Sequence, residues 1–364
     1  MTNKKVYLIA FYLPQYHPIP ENDQWWGKGF TEWTNITKAK PLFSGHYQPH
    51  FPADLGYYDL RLPEVRQSQA DLAKQYGIYG FCYYHYWFNG KQLLERPFNE
   101  VLASGKPDLP FCLCWANESW SRRWDGNDKD VLIEQTYGGK LDIHNHIQWL
   151  LRAFKDERYI RINGKPLFLI YRAREIPEIE RMLNIWRQEA NRAGLPGVYL
   201  CSVDSIWSRD WDPTIYNFEA AVEFHPAFGL LPKKLLERRK LFKLWPWRQG
   251  QPNHRIISYK DYVQYMLKRK YPKHKMFHCV TPGFDNTPRR QNGLPASIIH
   301  NSNPEDFGFW LHHTIEWTRN NMHDSEQIVF INAWNEWAEG NHLEPDQRFR
   351  HSFLEQVKIA LNNT

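Results

Sequence analysis

Two glutamates, Glu336 and Glu339, lie three residues apart near the end of the chain, each next to a tryptophan or two residues from one. The apolar run Ile328–Ile331 just before them is typical of a buried strand. Two acids at such an exit can share the breaking of a glycosidic bond, because one protonates the leaving oxygen while the other acts as base or nucleophile. The same spacing is also typical of acids that cap the next helix, and both interpretations stay open at this point.

Eight short β-like runs are spread along the chain. They are rich in Val, Ile, Phe, Tyr and Cys and mostly continuous, as in strands that are buried on both faces of a parallel sheet. Helical apolar stripes lie between several of them, and Gly77 and Gly194 follow two stripes as stop signals. The runs are Val6–Tyr12, Ile78–Tyr84, Pro110–Trp115, Leu167–Tyr171, Val198–Val203, Ala220–Phe224, Met276–Val280 and Ile328–Ala333.

Eight strands that alternate with helices and end on a helix predict an α/β fold, a single (β/α)8 TIM barrel rather than an open doubly wound sheet. No strand is followed by GxGxxG or GxxxxGK[ST], so the phosphate-binding folds lack their signature. Without internal repeats or low-complexity linkers, residues 1–364 are expected to form one domain. Long loops follow strands 1, 3 and 6, and the loops after strands build the active face of such a barrel.

A TIM barrel collects its functional side chains where its strands end. Polar or aromatic residues follow every predicted strand, although for each one alone a structural hydrogen bond is the more ordinary explanation. The coincidence across eight strands predicts one substrate-binding surface around the two glutamates. Its expected members are Tyr12, Tyr16, His17, Tyr84, His85, Trp115, Asn117, Glu118, Tyr171, Glu223, His225, Asp285, Arg289, Asn335 and Trp337.

Loop 1 adds the aromatic segment WWGKGFTEW at positions 25–33. Trp26, Glu32 and Trp33 are further candidate substrate contacts, in a sugar-binding lid over the barrel mouth. A satellite hydrophobic cluster under a long loop has the same composition, and the sequence does not decide between the two.

Other kinds of site have less support. His85, Glu118, Glu223 and His225 could converge on a metal, but no local pair has ligand spacing such as HExxH, and neither a metal nor another cofactor is expected. A Ser–His–Asp hydrolase lacks its GxSxG elbow. The five cysteines lie in apolar runs without a CxxC pair, which predicts buried free thiols and a reducing compartment.

The net charge of +6 is concentrated in the segment 232–248, which holds seven basic residues and one acid. The rest of the chain is balanced, so no nucleic-acid partner is expected. Basic residues mixed with Leu, Phe and Trp are typical of a solvated helix, or of a peripheral contact with anionic lipids. Neither a signal peptide nor a transmembrane helix is recognised, which predicts a cytoplasmic protein, peripheral on the inner face of the cell membrane if 232–248 binds lipid.

Three segments resemble glycoside hydrolase family 99, the endo-α-mannosidases. Residues 335–345 (NEWAEGNHLEP) resemble the family's strand-8 motif NEWHEG…EP. Residues 282–290 (PGFDNTPRR) resemble its PGY…R segment, and the opening FYLPQY resembles its FYYxWY start. Nearly the whole chain is similar to the WbsX-like family, which is associated with bacterial O-antigen and capsule gene clusters and usually labelled as glycosyltransferases. The landmarks are FYLPQYHPIPEND, WWGKGFTEW, YGFCYYHYWF, CWANE, GKPLFLIYR, PGFDNTPR and NAWNEWAEGNHLEPD.

The resemblance to family 99 implies a retaining enzyme. In that family's chemistry Glu336 would deprotonate the sugar 2-OH, which attacks C1 to form a 1,2-anhydro intermediate. Glu339 would protonate the leaving oxygen and then activate the incoming nucleophile. Base and acid serve neighbouring atoms, so closely spaced carboxylates suffice. Ala338 stands where family 99 usually has His, a difference that bears on the sugar and the linkage rather than on the acid pair.

Three functions are therefore consistent with the sequence. The preferred one is a retaining glycosidase or transglycosylase acting on α-linked sugars of a bacterial surface polysaccharide, of O-antigen or capsule type. The second is a glycosyltransferase of lipopolysaccharide or O-antigen assembly with a nucleotide- or lipid-linked donor, although a barrel without a DxD motif is atypical for it. The third is a non-catalytic glycan-binding protein. All three have an oligosaccharide or polysaccharide as partner, free or lipid-linked.

Overall fold

The computed structural model describes residues 5–122, 127–204, 211–232, 254–290 and 294–363. The basic segment 232–248 lies outside these ranges except for Pro232, so its predicted helix and its membrane contact stay predictions. Within the described ranges, no helix combines the length and the apolar character that crossing a membrane requires.

Eight parallel strands, numbered β1 to β8 here, form the central sheet. Each of them falls within or overlaps one of the eight predicted runs, and these predictions are confirmed. They are β1 Tyr7–Tyr12, β2 Ile78–Phe88, β3 Phe111–Trp115, β4 Lys165–Ile170, β5 Tyr199–Asp204, β6 Ala220–Glu223, β7 Met276–Phe277 with Cys279–Val280, and β8 Ile328–Ile331.

The sheet closes into a ring through β7. Its first half pairs with β6, where Val222 lies opposite Phe277, and its second half pairs with β8, where Phe330 lies opposite Cys279. β1 pairs with both β2 and β8, and the remaining strands pair with their neighbours in the chain. The predicted (β/α)8 barrel is confirmed.

Helices alternate with the strands. The predicted helical stripes all lie in helices. Gly77 and Gly194 each follow a helix and have positive φ angles of 88° and 87°, as expected of residues that end a helix. The described helices are Pro20–Trp26, Glu32–Lys38, Pro63–Gln75, Arg96–Ser104, Gly139–Phe154, Ile179–Arg192, Tyr259–Lys268, Pro304–Asn321 and Ser352–Asn362.

The barrel strands are buried on both faces. Every residue of β3 is at most 1% exposed, because one face points into the barrel and the other packs on the helices. All five cysteines are free and buried, as predicted.

Short strands also form in the loops around the barrel. Seven of these strands form three small sheets in the segments after β3, β6, β7 and β8, on the side of the barrel where substrates are expected to bind. They are the pair Trp120–Arg122 and Asn127–Ile133, the three-stranded sheet Arg255–Ser258, Ser297–His300 and Phe284–Asp285, and the pair Asn335–Glu336 and Asn341–His342. Lys91–Leu93 extends β2, and Arg161–Ile162 precedes β4.

Candidate active site

Glu336 and Glu339 lie on a short hairpin after β8. Asn335–Glu336 pairs with Asn341–His342, and the single 3-10 turn Trp337–Glu339 connects them. Glu336 precedes this turn but makes no side-chain capping hydrogen bond. The helix-capping interpretation of the two acids is therefore wrong.

Asn335 and Tyr16 fasten this hairpin to the end of β1. The Asn335 amide accepts a hydrogen bond from the Leu13 backbone N–H at 2.7 Å and donates one to the Leu13 carbonyl at 3.0 Å. The Tyr16 hydroxyl donates to the Asn335 carbonyl at 2.5 Å and accepts from the Trp337 N–H at 3.2 Å. These buried bonds fix the backbone on both sides of Glu336.

The Arg289 guanidinium joins three carboxylates. Its Nη2 lies 3.0 Å from Glu336 Oε2, its Nη1 2.6 Å from Glu339 Oε1, and its Nε 3.1 Å from Glu32 Oε2. Glu32 comes from loop 1 and is fully buried, whereas the Glu339 side chain is 23% exposed. One guanidinium thus positions both candidate catalytic acids, and Glu32 orients it from behind.

Three carboxylates against one guanidinium leave an excess of negative charge. Burial raises the pKa of Glu336 to about 8, and the charges of Glu339 and Glu32 add to this while Arg289 opposes it. Burial also raises the pKa of Glu32. For Arg289 burial alone would lower the pKa, but the three carboxylates outweigh it and hold the guanidinium charged. The site therefore favours the protonated form of the Glu336 carboxyl at pH 7.

A cavity of about 360 Å³ opens beside the two acids, a size typical of small-ligand sites. Its wall comes from the ends of β1, β2, β3, β4, β6, β7 and β8 and from loop 1, as expected for the active face of a barrel. Seven predicted site residues line it: Trp26, Tyr84, Glu118, Tyr171, Arg289, Glu336 and Glu339.

Aromatic rings form much of this wall. Trp120 packs edge-on against Trp25 and Tyr86, with ring centroids 5.9 and 5.1 Å apart, and so belongs to a rigid cluster. Tyr171 packs edge-on against Phe224 at 5.2 Å. Flat apolar faces held in place in this way suit the faces of sugar rings.

Glu118 is a further acid of the wall. It forms an ion pair with Arg172, whose Nε lies 2.7 Å from Glu118 Oε1. Asn117 holds this arginine by accepting a hydrogen bond from the Arg172 backbone N–H at 2.7 Å. Asn117 itself is fully buried, and its place is behind the cavity wall.

Several other predicted substrate contacts lie beneath the cavity and do not line it. The Trp33 indole donates to the Tyr58 carbonyl at 2.8 Å, and the Trp337 indole donates to Glu344 at 2.6 Å, so both rings are used by the protein itself. Loop 1 thus combines both interpretations of its tryptophans, because Trp26 reaches the cavity while Trp33 is core. The predicted residues of this underlying layer are Tyr16, His17, Glu32, Trp33, Asn335 and Trp337, each at most 9% exposed.

Another group of predicted contacts faces the helices around the barrel. Tyr12 donates to Gln69 at 2.7 Å, and the His85 ring stacks on Trp149 at 4.5 Å. Trp115 packs edge-on against His146. Their placement as cavity residues is wrong, because successive side chains of a strand point to opposite faces and these point outward.

Glu223 and His225 also face outward from β6. They lie 2.9 Å apart and form a cluster with His278 and Arg269, which we call the strand-6 cluster. Asp285 also does not line the cavity of the two glutamates. Its carboxylate accepts a hydrogen bond from the Gln48 amide at 2.8 Å and lies 2.6 Å from His46 Nε2. The four residues that could have converged on a metal, His85, Glu118, Glu223 and His225, form no common ligand group in the described part of the chain.

The residues that the sequence prediction omitted are mostly the immediate neighbours of those it chose. Tyr86 lies beside His85, Ala116 beside Trp115, and Phe224 between Glu223 and His225. Alternation along β2, counted from the cavity residue Tyr84, could have identified Tyr86. The omitted lining residues are Leu13, Gln15, Tyr86, Ala116, Ser119, Trp120, Ser121, Leu132, Phe224, Asn286 and Arg290.

Comparison with solved structures agrees with this architecture. A "Glycoside hydrolase-like protein" superposes with a TM-score of 0.60 at 15% identity, covering 99% of this chain and 95% of that one. The GH99 endo-alpha-mannosidase from Bacteroides thetaiotaomicron gives a TM-score of 0.59 at 15% identity, covering 98% of this chain and 97% of that one. Identities this low show the fold alone.

The sequence itself has closer relatives. "Uncharacterized protein WxcX" of Xanthomonas campestris pv. campestris, in two strains, is 42% identical over 354 residues. The match covers 97% of this chain and 49% of that protein, so the chain spans about half the length of the curated relatives it matches. The profile of the family described as "Glycosyltransferase WbsX" matches residues 8–357. The chain therefore belongs to the WbsX glycosyltransferase family.

Proposed function

We propose that this chain acts with retention on α-glycosidic bonds of a bacterial surface polysaccharide of O-antigen or capsule type. The observation that carries the proposal is the binding of Glu336 and Glu339 to the two terminal nitrogens of one arginine, at the wall of an aromatic-lined cavity. This arrangement presents an acid and a base to neighbouring atoms of one sugar.

In the first step Glu336, as carboxylate, accepts the proton of the sugar 2-OH. O2 attacks C1 from the face opposite the leaving group, the bond between C1 and the glycosidic oxygen breaks, and Glu339 donates its proton to that oxygen. The products are a 1,2-anhydro sugar and a free hydroxyl on the leaving part.

In the second step Glu339, now a carboxylate, accepts a proton from an incoming hydroxyl. That oxygen attacks C1, the bond between C1 and O2 breaks, and O2 takes back the proton from Glu336. Two inversions at C1 give net retention. Water as the incoming group results in hydrolysis, and a sugar hydroxyl results in transfer.

The charge of the site supports these roles. A carboxylate with a raised pKa is a stronger base, and Glu336 must remove a proton from a weakly acidic hydroxyl. A substrate 2-OH that donates to Glu336 favours its ionised form.

The aromatic wall supports a glycan substrate. Trp26 and Trp120 border the cavity from loop 1 and from the hairpin after β3, so that rings on either side of the cleaved bond can rest on indole faces. The resemblance to proteins of O-antigen and capsule gene clusters supports a surface polysaccharide, free or lipid-linked.

A glycosyltransferase of O-antigen assembly is the second candidate, and the family description favours it. It would use the same two acids with a nucleotide- or lipid-linked donor, and a cytoplasmic location with a lipid contact at 232–248 would suit it. The distinction from a hydrolase concerns the donor and the acceptor rather than the residues of the site.

One experiment tests both candidates. The protein is incubated with fragments of the cognate polysaccharide, and separately with sugar nucleotides and a lipid-linked acceptor, alongside Glu336→Gln and Glu339→Gln. Fragment cleavage or fragment exchange that both variants lose is the expected result. Untouched fragments together with elongation from a sugar nucleotide would replace the first candidate by the second, and no turnover of either kind would leave a glycan-binding protein.

A further inference from the structure

A second, smaller cavity of about 50 Å³ lies near the back of the hairpin that carries the acids. Its wall comes from loop 1, from the segments after β7 and from residues 340–349, and it shares no residue with the cavity of the two glutamates. Three of its residues, His50, His342 and Asp346, bring one ligand atom each to within 4.8 Å of one another. This is the one such group in the described part of the chain.

The His342 ring is held in the orientation of a metal ligand. Its Nδ1 donates to the Glu344 carbonyl at 2.9 Å, since a carbonyl only accepts, and its face stacks on Trp337 at 3.7 Å. The unprotonated Nε2 then points at His50 Nδ1, 2.8 Å away. Fixing one ring nitrogen on a backbone carbonyl is the usual way in which proteins orient a histidine ligand.

His50 and Asp346 are held as well. His50 stacks on the Tyr47 ring at 4.1 Å. One Asp346 oxygen accepts from the Phe349 N–H at 2.6 Å, and the other accepts from the Tyr47 hydroxyl at 3.0 Å.

We propose that His50, His342 and Asp346 bind a divalent transition-metal ion of the zinc class. Two imidazole nitrogens and a carboxylate oxygen are typical zinc ligands, and the adjoining cavity has room for a water as the fourth. For tetrahedral coordination the two ring nitrogens must separate from 2.8 Å to about 3.3 Å, a small rotation of the His50 ring. Asp285 adds negative charge near His50, while Arg348, over the Tyr47 ring at 4.7 Å, opposes it.

The ion would be structural. His342 belongs to the strand that pairs with Asn335–Glu336, and His50 belongs to loop 1. A metal between them fastens loop 1 to the hairpin of the catalytic acids, outside the cavity where the sugar binds. This site does not depend on the proposed reaction and can be tested without a substrate.

The test uses the full chain without an affinity tag. Metal content is measured by mass spectrometry after purification and after dialysis against Zn²⁺, and Co²⁺ replaces Zn²⁺ for its visible absorption. The variants are Asp346→Asn, which keeps the side-chain volume, and His50→Gln. The control is His351→Gln, which removes a histidine that pairs with Asp54 instead.

The expected result is one bound Zn²⁺ per chain, a tetrahedral Co²⁺ spectrum and a melting temperature that rises with metal. Both variants should bind at least ~100-fold more weakly, and the control should bind as the wild type does. A wild type that takes up no stoichiometric Zn²⁺ would overturn the proposal, because the two histidines then share only a hydrogen bond. The proposal would also be overturned if Asp346→Asn and His50→Gln, shown to be folded by circular dichroism, bound Zn²⁺ as tightly as the wild type.

Discussion

Two buried clusters of acids and arginines can be compared among the described residues near the ends of the barrel strands, and the first lines the cavity of about 360 Å³. At the candidate active site Arg289 binds Glu32, Glu336 and Glu339. In the strand-6 cluster Arg269 forms an ion pair with Glu223, and His225 and His278 lie 2.9 and 3.1 Å from the same carboxylate. In the sequence Glu223 and His225 looked like Glu336 and Glu339, as polar side chains at a strand end.

The two clusters differ in how their charges are matched. Glu223 has Arg269, His225 and His278 within ion-pair distance, and its side chain is 5% exposed. Glu336 and Glu339 share one arginine with a third acid, and Glu339 keeps an open side toward the cavity. A matched, closed cluster stabilises the fold, whereas an excess of acids at a cavity raises the pKa of a carboxyl group and makes it a stronger base.

Removal of either proposed catalytic acid has the largest expected effect. Glu336→Gln and Glu339→Gln should each lower kcat/KM on polysaccharide fragments by ~10²–10⁴-fold, because each removes a proton-transfer group. The double variant should be little worse than either single one, since the two acids act as a unit. Folding should persist in all three by circular dichroism. Substantial activity in either single variant would mean that the acids lie at a binding surface only.

Glu223→Gln should affect stability instead. It leaves Arg269 without the charge of its closest partner in a buried place, which costs ~3–5 kcal/mol in comparable pairs. Urea unfolding measures this loss, with Glu339→Gln as the matched control that should lose little. Activity per folded molecule should be unchanged in Glu223→Gln. A stable but inactive Glu223→Gln protein would erase the distinction between the two clusters.

The pH dependence of kcat/KM tests the raised pKa of Glu336. The proposed base must be a carboxylate, so kcat/KM should rise as pH rises through about 8, where Glu336 loses its proton. Glu32→Gln removes a negative charge and should move this rise to lower pH. Arg289→Gln removes the positive charge and should move it to higher pH, at a reduced rate. A rise in activity that neither variant moves would contradict the charge assignment.

Truncation of an aromatic wall residue has the smallest expected effect. Trp120→Ala should raise KM by about 2–10-fold with a smaller change in kcat, because it removes a stacking surface rather than a reacting group. Trp149→Phe is the matched control, since Trp149 stacks on His85 outside the barrel. Initial rates over a range of fragment concentrations separate the two constants. An equal rise in KM for both variants would point to a general loosening of the barrel.

The sequence predicted the barrel well because its strands are short, apolar and regularly spaced. It predicted the site only in part. Both faces of these strands are buried, so the residue types at a strand end do not show which face points into the barrel. The sequence prediction therefore chose His85 and Glu223, which face the helices, and omitted Tyr86 and Phe224, which face the cavity.

The parts of the site that come from long loops were harder to predict. Glu32 was expected to contact substrate, but its ion pair with Arg289 joins residues 257 positions apart, and no local pattern predicts such a contact. The helix Pro304–Asn321 was also omitted, although Asn303 caps it by accepting from the Asp306 N–H at 2.8 Å. Thr314 and Thr318 interrupt its apolar stripe and conceal the helical period.

The most direct test of the central claim follows the anomeric configuration of the first product by NMR. An α-linked fragment of the cognate polysaccharide is incubated with the wild-type protein, and the spectrum is recorded before the sugar equilibrates in solution. Glu336 and Glu339 acting through a 1,2-anhydro intermediate must give the α anomer first. Initial release of the β anomer would contradict the account.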